Sequence, residues 1–401
     1  MLSGKHPDYY ISFRNLKFPK LTSIIFLFNG VETNFCTPEY YYTINFENID
    51  LPNVLTLENS FSSYCYYHLK NLNMKNISIP KVKSMANMFP WNVGLYCNIS
   101  LQNIYSPSVE TIEGMFRHIY YANVNFKNIN FSSLKSVHDT FGYSFFHNLN
   151  LENIDAPNVE SLDNMFSYHV YNASFKNINF SNAISMKYFL PYEKYNISFI
   201  NANISKVTSL EEIFTGGGCL DNIRLENVDI SSVTSMKNMI DINTLSFYTK
   251  EIIIKNINAS NLLDLDHIIR YGSSANITLE NITFPKLTSI ENMLYSGSYD
   301  KGRINLININ APEVKTIKNL FADETIGSEL ITIKDINIPK CLTMENIFNS
   351  RTVKKIILEN INAPSLQIMK SIFNNVPQLQ SVHLTNLNAP NLIEIEKLLC
   401  N

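Results

Sequence analysis

Cysteine and histidine are the residue types in this chain that could bind a metal or act as nucleophile and base. The six cysteines are scattered, with no CxxC pair and no Cys/His spacing of the zinc-binding kind, so free thiols are the simpler interpretation. The histidines His68, His118, His147 and His169 share one region but occupy different offsets within it, which disfavours a common metal site. The cysteines are Cys36, Cys65, Cys97, Cys219, Cys341 and Cys400.

No catalytic motif accompanies these residues. The chain contains no GxSxG, HExxH or Walker sequence, and "TGGGC" (215–219) lacks the Lys-Ser/Thr that completes a phosphate-binding loop. A polysaccharide-cleaving β-helix would need clustered aspartates on its sheet, whereas Asp155, Asp229 and Asp264 fall in predicted turns or helices. We therefore expect a protein that is not an enzyme and uses no cofactor or metal, with a carbohydrate-active β-helix as the remaining catalytic alternative.

Composition excludes several partners. The 401 residues carry a net charge of −3, which gives no general attraction for nucleic acid or for an anionic membrane. No apolar run approaches the roughly 18 residues of a membrane helix, so no membrane insertion is expected. The first ten residues (1–10) are read as an N-terminal leader without a signal peptide, so an intracellular location is the default expectation.

An internal repeat organises the rest of the chain. It is aligned on an Asn that precedes an aliphatic residue, as in "LENI", and it recurs at steps of 24 to 33 residues. Such periods indicate a solenoid. The repeated positions are Asn15, Asn48, Asn76, Asn103, Asn128, Asn153, Asn177, Asn201, Asn227, Asn256, Asn281, Asn308, Asp335, Asn360 and Asn386.

Each repeat predicts one strand and one short helix. The residues at −4 and −2 from the Asn are apolar, such as Ile99 and Leu101, and this alternation indicates a strand with one buried face. Pro or Ser follows at +4, where either residue can begin a helix. Apolar residues then recur at helical spacing; in the repeat of Asn103 they are Val109, Ile112, Met115 and Phe116.

These units predict an α/β repeat solenoid of about 15 coils. One long parallel β-sheet would form one side, and short helices would cover the opposite side. A single coil cannot bury its own apolar faces, but stacked coils share a continuous core. We therefore expect one continuous solenoid domain over residues 11–401.

The motifs "LQNIYSPSVETIEGMF" (101–116) and "NISKVTSLEEIF" (203–214) resemble the BspA-like leucine-rich-repeat surface proteins. In that family's lipoprotein-type repeat, a strand Leu and Asn are followed by Ser-Asn-Val-Thr-x-Met-x-x-Met-Phe. The resemblance covers essentially the whole chain. It implies a right-handed leucine-rich-repeat-like solenoid that acts in adhesion or protein binding, with the cell surface as the alternative location.

The repeating Asn predicts an asparagine ladder. By parity with the −2 and −4 residues, we expect its side chain to point inward and to hydrogen-bond turn backbone or the Asn of the next coil. The ladder residues are Asn48, Asn76, Asn103, Asn128, Asn153, Asn177, Asn227, Asn256, Asn281, Asn308, Asn360 and Asn386.

The outward row beside that Asn alternates in charge and is expected to form a structural charge ladder rather than a recognition surface. The loops of the first half, in contrast, are rich in aromatic residues. They predict either self-packing loops or a lateral stripe that binds protein or glycan. The candidate partner-binding residues are Tyr66, Tyr67, Trp91, Tyr96, Tyr120, Tyr121, Tyr143, Tyr168 and Tyr192.

The first and last repeats, "YYISFRNLKF" and "IEIEKLLCN", do not look like polar capping units. This pattern favours end-to-end self-association, in which a terminal coil stacks on another copy of the chain. Two functions therefore stay open: a non-enzymatic repeat scaffold for protein–protein interaction or adhesion, and a structural assembly component joined through uncapped ends.

Overall fold

The alternating apolar residues of each repeat form the strands of a parallel β-solenoid. In the strand Asn98–Tyr105, Ile99 and Leu101 are buried, whereas the alternating residues Ser100 and Gln102 are half-buried. Neighbouring coils pair in parallel and residue for residue, so that Ile99 lies beside Val124 and Leu101 beside Phe126. Each repeat position is therefore stacked on the same position of the next coil.

A computed structural model describes residues 8–24, 41–61, 69–89, 97–166, 169–187, 189, 194–215, 221–241, 249–270, 276–295, 302–321 and 328–400. The chain divides into two compact units, Met1–Tyr192 with Ala202–Ile204, and Glu193–Asn201 with Ser205–Asn401. The expectation of one continuous domain over 11–401 stays a prediction.

The described part of the first unit contains seven long parallel strands. Six consecutive pairings join them in chain order. The first strand begins at Asp8, and the separate leader over residues 1–10 stays a prediction because residues 1–7 lie outside the described part of the chain. The strands are Asp8–Lys17, Tyr41–Asp50, Leu69–Ser78, Asn98–Tyr105, Tyr120–Asn130, Phe145–Asp155 and Val170–Asn179.

The second unit repeats the arrangement with eight long parallel strands in its described residues, again paired in chain order. They are Lys194–Ile200, Asn222–Glu226, Glu251–Asn258, Asn276–Thr283, Gly302–Asn310, Ser328–Asn337, Lys355–Asn362 and Ser381–Asn388.

Three sheets of short strands line other sides of the coils in the second unit. One contains Phe214–Thr215, Ile240–Asp241, Ile269–Arg270 and Leu294–Tyr295. Another contains Ser289–Glu291, Thr316–Lys318, Thr343–Glu345, Ile368–Lys370 and Glu394–Glu396. The third contains Phe348–Asn349, Phe373–Asn374 and Leu399–Cys400.

The core of the first unit contains a column of stacked phenylalanines. The rings of Phe116 and Phe141 are nearly parallel and stacked with centroids 5.5 Å apart, and those of Phe141 and Phe166 are stacked 4.9 Å apart. Phe61 and Phe89 continue the column, and the rings are almost fully buried. Because each coil contributes its ring at the same repeat position, the stack joins neighbouring coils through their interior.

The predicted short helices are wrong: no described residue is helical. In the segment after Asn103, Val109, Ile112, Met115 and Phe116 are buried as expected, so the inward face is confirmed. Their backbone, however, forms turns closed by i to i−3 hydrogen bonds, and its other N–H groups bond to neighbouring coils. The Met115 N–H donates to the Ile112 carbonyl oxygen, whereas the Phe116 N–H donates to Thr140 of the next coil.

A second left-handed residue explains why these segments are not helices. In the coils described at this position, it lies eleven residues after the ladder residue, at φ of about +46 to +59°, where a right-handed helix requires about −63°. Gly114, at φ +59°, interrupts the predicted helix between Ile112 and Met115. The row contains Asn59, Asn87, Gly114, Asp139, Asn164, Glu212, Asn238, His267, Asn292, Asn319, Asn346, Ser371 and Lys397.

The inward orientation predicted for the ladder Asn is also wrong. Asn103 has φ +52° and is exposed, and the next residue, Ile104, is buried at 2%. A left-handed residue breaks the two-residue alternation of a strand, so the side-chain phase shifts by one position. The exposed ladder residues are Asn15, Asn48, Asn76, Asn103, Asn128, Asn153, Asn177, Asn201, Asn227, Asn256, Asn281, Asn308 and Asn386; Asp335 and Asn360 are half-buried.

Candidate interaction surface

The ladder amides bond to one another along the outside of the coils. In the first unit, Asn76 donates its Nδ2–H to Oδ1 of Asn48 at 2.8 Å, and Asn103 donates to Asn76 at 2.8 Å. The same bond joins the other ladder pairs of the first unit from Asn15 to Asn177. Each amide inside the row therefore uses one N–H donor and its oxygen acceptor on neighbouring amides, so we assign no ligand site to this row.

The second unit repeats the ladder from Asn201 to Asn308 at 2.8 Å per bond. At Asp335 the amide is replaced by a carboxylate, which accepts from Asn360 at 2.6 Å. A carboxylate has no N–H to donate, so Asp335 cannot donate to Asn308 of the preceding coil as an asparagine could. Asn386 donates to Asn360 at 2.8 Å.

Two additional amide ladders were missed by the sequence reasoning. One lies five residues before the main ladder, where Asn98 donates to Asn71 and Asn123 donates to Asn98. The other lies two residues after it, where Asn362 donates to Asn337 and Asn388 donates to Asn362. Their signal was available as Asn recurring at fixed offsets from the main row.

The charged row on the sheet face forms ion pairs between neighbouring strands. Lys127 lies 2.9 Å from Glu152, and Lys176 lies 4.0 Å from the other oxygen of that carboxylate. The hydrogen bond from Lys127 lowers the pKa of Glu152 below its ordinary value. Lys255 with Glu280 and Lys334 with Glu359 repeat the pattern in the second unit. The alternating charges therefore pair locally, which reduces the field available to a partner.

The aromatic residues of the first unit meet on a lateral edge of the coils. We call this the aromatic edge and define it as Arg117, His118, Tyr121, Tyr143, Phe145, His147, His169 and Tyr171. Of the candidate partner-binding residues, Tyr121 (36% exposed) and Tyr143 (42% exposed) belong to it, and Tyr120 is half-buried beside them. Tyr66, Tyr67, Trp91, Tyr96, Tyr168 and Tyr192 lie outside the described residues.

The rings of the aromatic edge contact one another across coils. His118 stacks on Tyr143 with centroids 5.3 Å apart, and the guanidinium carbon of Arg117 lies 4.9 Å from the centre of the same Tyr143 ring. This second contact has cation–π geometry. Tyr121 lies 5.0 Å from Phe145, which also contacts His169 at 4.5 Å. The rings therefore pack on one another, as the self-packing interpretation expects, but Tyr121 and Tyr143 also expose ring surface to solvent.

The surroundings of His118 lower the pKa of its imidazole below that of a free histidine. Partial burial lowers its pKa, and the adjacent Arg117 charge lowers it further, against an opposing effect of Asp139. Arg117 places a guanidinium group at this end of the edge. Its Nε is buried and has no hydrogen-bond partner among the described residues.

No cluster of three potential metal ligands occurs among the residues with described structure. Cys97 and Cys341 are buried free thiols, and burial raises their pKa to about 12 and about 11. A thiol held protonated in this way is a poor nucleophile. None of the described segments forms a helix with the length and hydropathy that a bilayer crossing requires.

Comparison with known families supports the repeat architecture. The model of a family described as "Mycoplasma protein of unknown function, DUF285" matches residues 29–153, 83–196, 143–245, 187–306 and 218–332. The chain belongs to this family. Each DUF285 match spans several consecutive coils, so the family's unit of similarity is a group of coils rather than a single repeat. The comparison does not confirm the BspA-like leucine-rich-repeat assignment, and no curated protein or solved structure matches the chain.

Proposed function

We propose that this DUF285 protein is a non-enzymatic repeat scaffold whose aromatic edge binds a protein partner. The observation that carries the proposal is the exposed pair Tyr121 and Tyr143, which are held in ring contacts with residues of neighbouring coils. Tyrosine offers a large rigid surface with a polar hydroxyl group, and prior ordering reduces the entropy lost on binding. A solenoid scaffold and an ordered aromatic platform together suit an interaction role.

The sheet face is a weaker candidate for the same role. Its charged side chains alternate in sign and are paired between strands, as Lys127, Glu152 and Lys176 are. A partner would have to break these pairs to use them. The aromatic edge instead offers partly exposed tyrosine rings and the Arg117 cation, which are residue types enriched at protein interfaces.

The resemblance to BspA-like leucine-rich-repeat surface proteins adds a biological setting to the proposal. In that setting the scaffold acts in adhesion at a cell surface, and its partner is a host or neighbouring-cell protein, with a glycan as the alternative ligand. The motifs at 101–116 and 203–214 support this extension, and the solenoid architecture is compatible with it.

A double substitution tests the proposed surface. The purified intact chain is immobilised, and captured proteins are cross-linked and identified for wild type, Tyr121→Ala/Tyr143→Ala, and the control Tyr105→Ala. Tyr105 is 54% exposed but lies on a sheet strand away from the edge contacts. We expect the double variant to lose a partner that wild type and the control both retain, with unchanged circular dichroism. Equal capture by all three proteins would contradict the proposal.

A second candidate function is assembly through the last described coil. That coil exposes Leu384 (47%), Ile395 (56%) and Leu399 (67%), an apolar surface suited to stacking on a second copy. We expect Ile395→Glu to shift a concentration-dependent oligomer toward monomer in sedimentation velocity. A wild-type chain that remains monomeric at high concentration would remove this candidate.

A further inference from the structure

The side chains of the aromatic edge carry hydrogen-bond donors and no carboxylate. The edge comprises one arginine, three histidines, three tyrosines and one phenylalanine. A guanidinium group only donates hydrogen bonds, and a tyrosine hydroxyl or a neutral imidazole carries one donor, whereas an ionised carboxylate only accepts. A ligand that presents carboxylates therefore complements the polar groups of this edge.

Arg117 is the residue of the edge best suited to bind a carboxylate. Its guanidinium carbon lies 4.9 Å from the centre of the Tyr143 ring, and this contact restricts the side chain before a ligand arrives. Arg117 is half-buried, and the described part of the chain supplies neither an ion pair to its guanidinium nor an acceptor to its Nε–H. The planar guanidinium group can hold a carboxylate through two parallel hydrogen bonds.

The cations on the sheet face of the same unit are placed differently. Arg14 lies 3.4 Å from the carboxylate of Glu47, and Lys127 lies 2.9 Å from that of Glu152. A carboxylate that arrives at the sheet face must compete with these glutamates. At Arg117 it meets an aromatic ring instead, so the guanidinium group can accept an anionic ligand without giving up an ion pair in the described structure.

Asp139 is a carboxylate that acts on the edge without belonging to it. Its charge opposes that of Arg117 at His118. An added Cβ on Gly142 would lie 2.9 Å from the Asp139 Oδ1, so this carboxylate faces the turn at Gly142. Burial and Arg117 lower the pKa of His118, which keeps this imidazole mostly neutral at pH 7. Arg117 is therefore the one arginine of the edge and its main cation beside Tyr143.

We propose that the partner of the aromatic edge is an acidic peptide segment. One of its carboxylates binds Arg117, and a neighbouring apolar side chain packs on the exposed rings of Tyr121 and Tyr143. This inference rests on the proposed function, because it names the chemistry of the partner at the same edge.

A nucleic acid also combines negative charge with rings that stack, but the edge fits it less well. Each nucleotide carries a phosphate, so tight binding requires several cations along the strand. The edge contains a single arginine and no lysine, and the whole chain has a net charge of −3. One guanidinium group can satisfy one carboxylate, which favours a short acidic segment of a protein.

The test is fluorescence anisotropy of a labelled peptide, Glu-Glu-Phe-Glu-Glu-Phe-Glu-Glu, with the intact chain at about 0.15 M salt. A second peptide has Gln in place of every Glu and so keeps the length and the rings without the charge. An oligothymidylate of equal length represents nucleic acid. Arg117→Gln removes the guanidinium group from the edge, and Arg303→Gln is the matched control because Arg303 is an exposed arginine of the second unit.

We expect wild type and Arg303→Gln to bind the glutamate peptide equally, and Arg117→Gln to bind it at least tenfold more weakly because charge-assisted hydrogen bonds are lost. The proposal is wrong if wild type does not bind this peptide, or if Arg117→Gln binds it as wild type does. It is also wrong if the glutamine peptide or the oligothymidylate binds wild type as tightly as the glutamate peptide.

Circular dichroism checks the fold of each variant. Arg117→Lys replaces a glutamine variant that does not fold. It keeps the charge but cannot form the planar pair, so we expect at least threefold weaker binding, and unchanged affinity would contradict the proposal.

A capture experiment separates this proposal from the proposed function. If Tyr121→Ala/Tyr143→Ala loses a captured partner that Arg117→Gln retains, the edge is an interface and only the acidic character of its partner is wrong. If both variants retain every partner of wild type, the proposed function itself is wrong.

Discussion

Asn153 donates its Nδ2–H to the Oδ1 of Asn128 at 2.6 Å, and both residues are exposed at φ of +56° and +55°. The bond therefore joins two left-handed residues of neighbouring coils on the outside of the solenoid. Asparagine tolerates this backbone region better than other residues with a side chain, and its amide supplies one donor and one acceptor for stacking. One residue type thus meets a backbone and a side-chain requirement at the same position.

Substitutions at Asn153 separate these two contributions. Asn153→Gly removes the amide bonds but permits positive φ, so we expect destabilisation of about 1 kcal/mol. Asn153→Ala also removes the amide bonds, and it keeps a Cβ in the left-handed region without asparagine's tolerance of that region, which adds roughly 1–2 kcal/mol relative to glycine. Calorimetric melting should therefore rank wild type above Gly and Gly above Ala. An alanine variant at least as stable as the glycine variant would show that the backbone conformation is unimportant here.

Gly114 tests the second left-handed row. Its φ is +59°, and an added Cβ would lie 2.6 Å from Oδ1 of Asn87. The Asn87 oxygen ends a flexible side chain that can rotate, so backbone strain should dominate, and we expect Gly114→Ala to cost roughly 1–2 kcal/mol. Gly114→Asn is the control, because Asn occupies this position in the preceding coil, at Asn87, and in others such as that of Asn164. Thermal unfolding of the two variants at equal temperature would contradict the explanation.

Glu152 tests the charge ladder on the sheet face. Glu152→Lys would place three lysines in a row with Lys127 and Lys176, whereas Glu152→Gln only removes the attraction. We expect the lysine variant to melt at a lower temperature than the glutamine variant in low salt. The gap should narrow at 1 M salt, where the Debye length is about 3 Å. A gap that is independent of salt would indicate a steric rather than an electrostatic effect.

Cys97 should make stability sensitive to alkaline pH. Burial raises its folded pKa to about 12 from an ordinary value of 9.0, so the unfolded chain loses the thiol proton first as pH rises. The stabilising contribution is therefore complete below about pH 9 and declines between pH 9 and 12. Melting temperature measured from pH 8 to 10.5 should fall less steeply for Cys97→Ala than for wild type. Parallel curves for the two proteins would contradict this assignment.

The buried face of each coil could be predicted from residue type alone. In the repeat of Asn103, Ile99 and Leu101 at −4 and −2 are buried as the pattern indicates, and so are Val109, Ile112, Met115 and Phe116. That information is local, because side-chain burial follows hydrophobicity. It does not distinguish a short helix from successive turns, since both can place residues at these spacings on one side.

Long-range backbone hydrogen bonds decided between those alternatives. The N–H of Phe116 donates to Thr140 in the next coil, and the N–H of Glu110 donates to Lys83 in the preceding one. Such bonds replace the i to i−4 bonds of a helix, and they require coils already stacked in register. The error on the ladder Asn has a related origin: parity assumes uniform strand conformation, which one residue with positive φ abolishes.

The repeat pattern alone established that this protein is an array of stacked coils, because fifteen copies of one apolar pattern cannot be buried separately. The contacts between coils settled which way the amides face, which aromatic rings meet at Tyr121 and Tyr143, and where the interior of the second unit leaves an apolar cavity. Those features depend on contacts between residues about 25 positions apart. They arise when coils stack, and no single repeat encodes them.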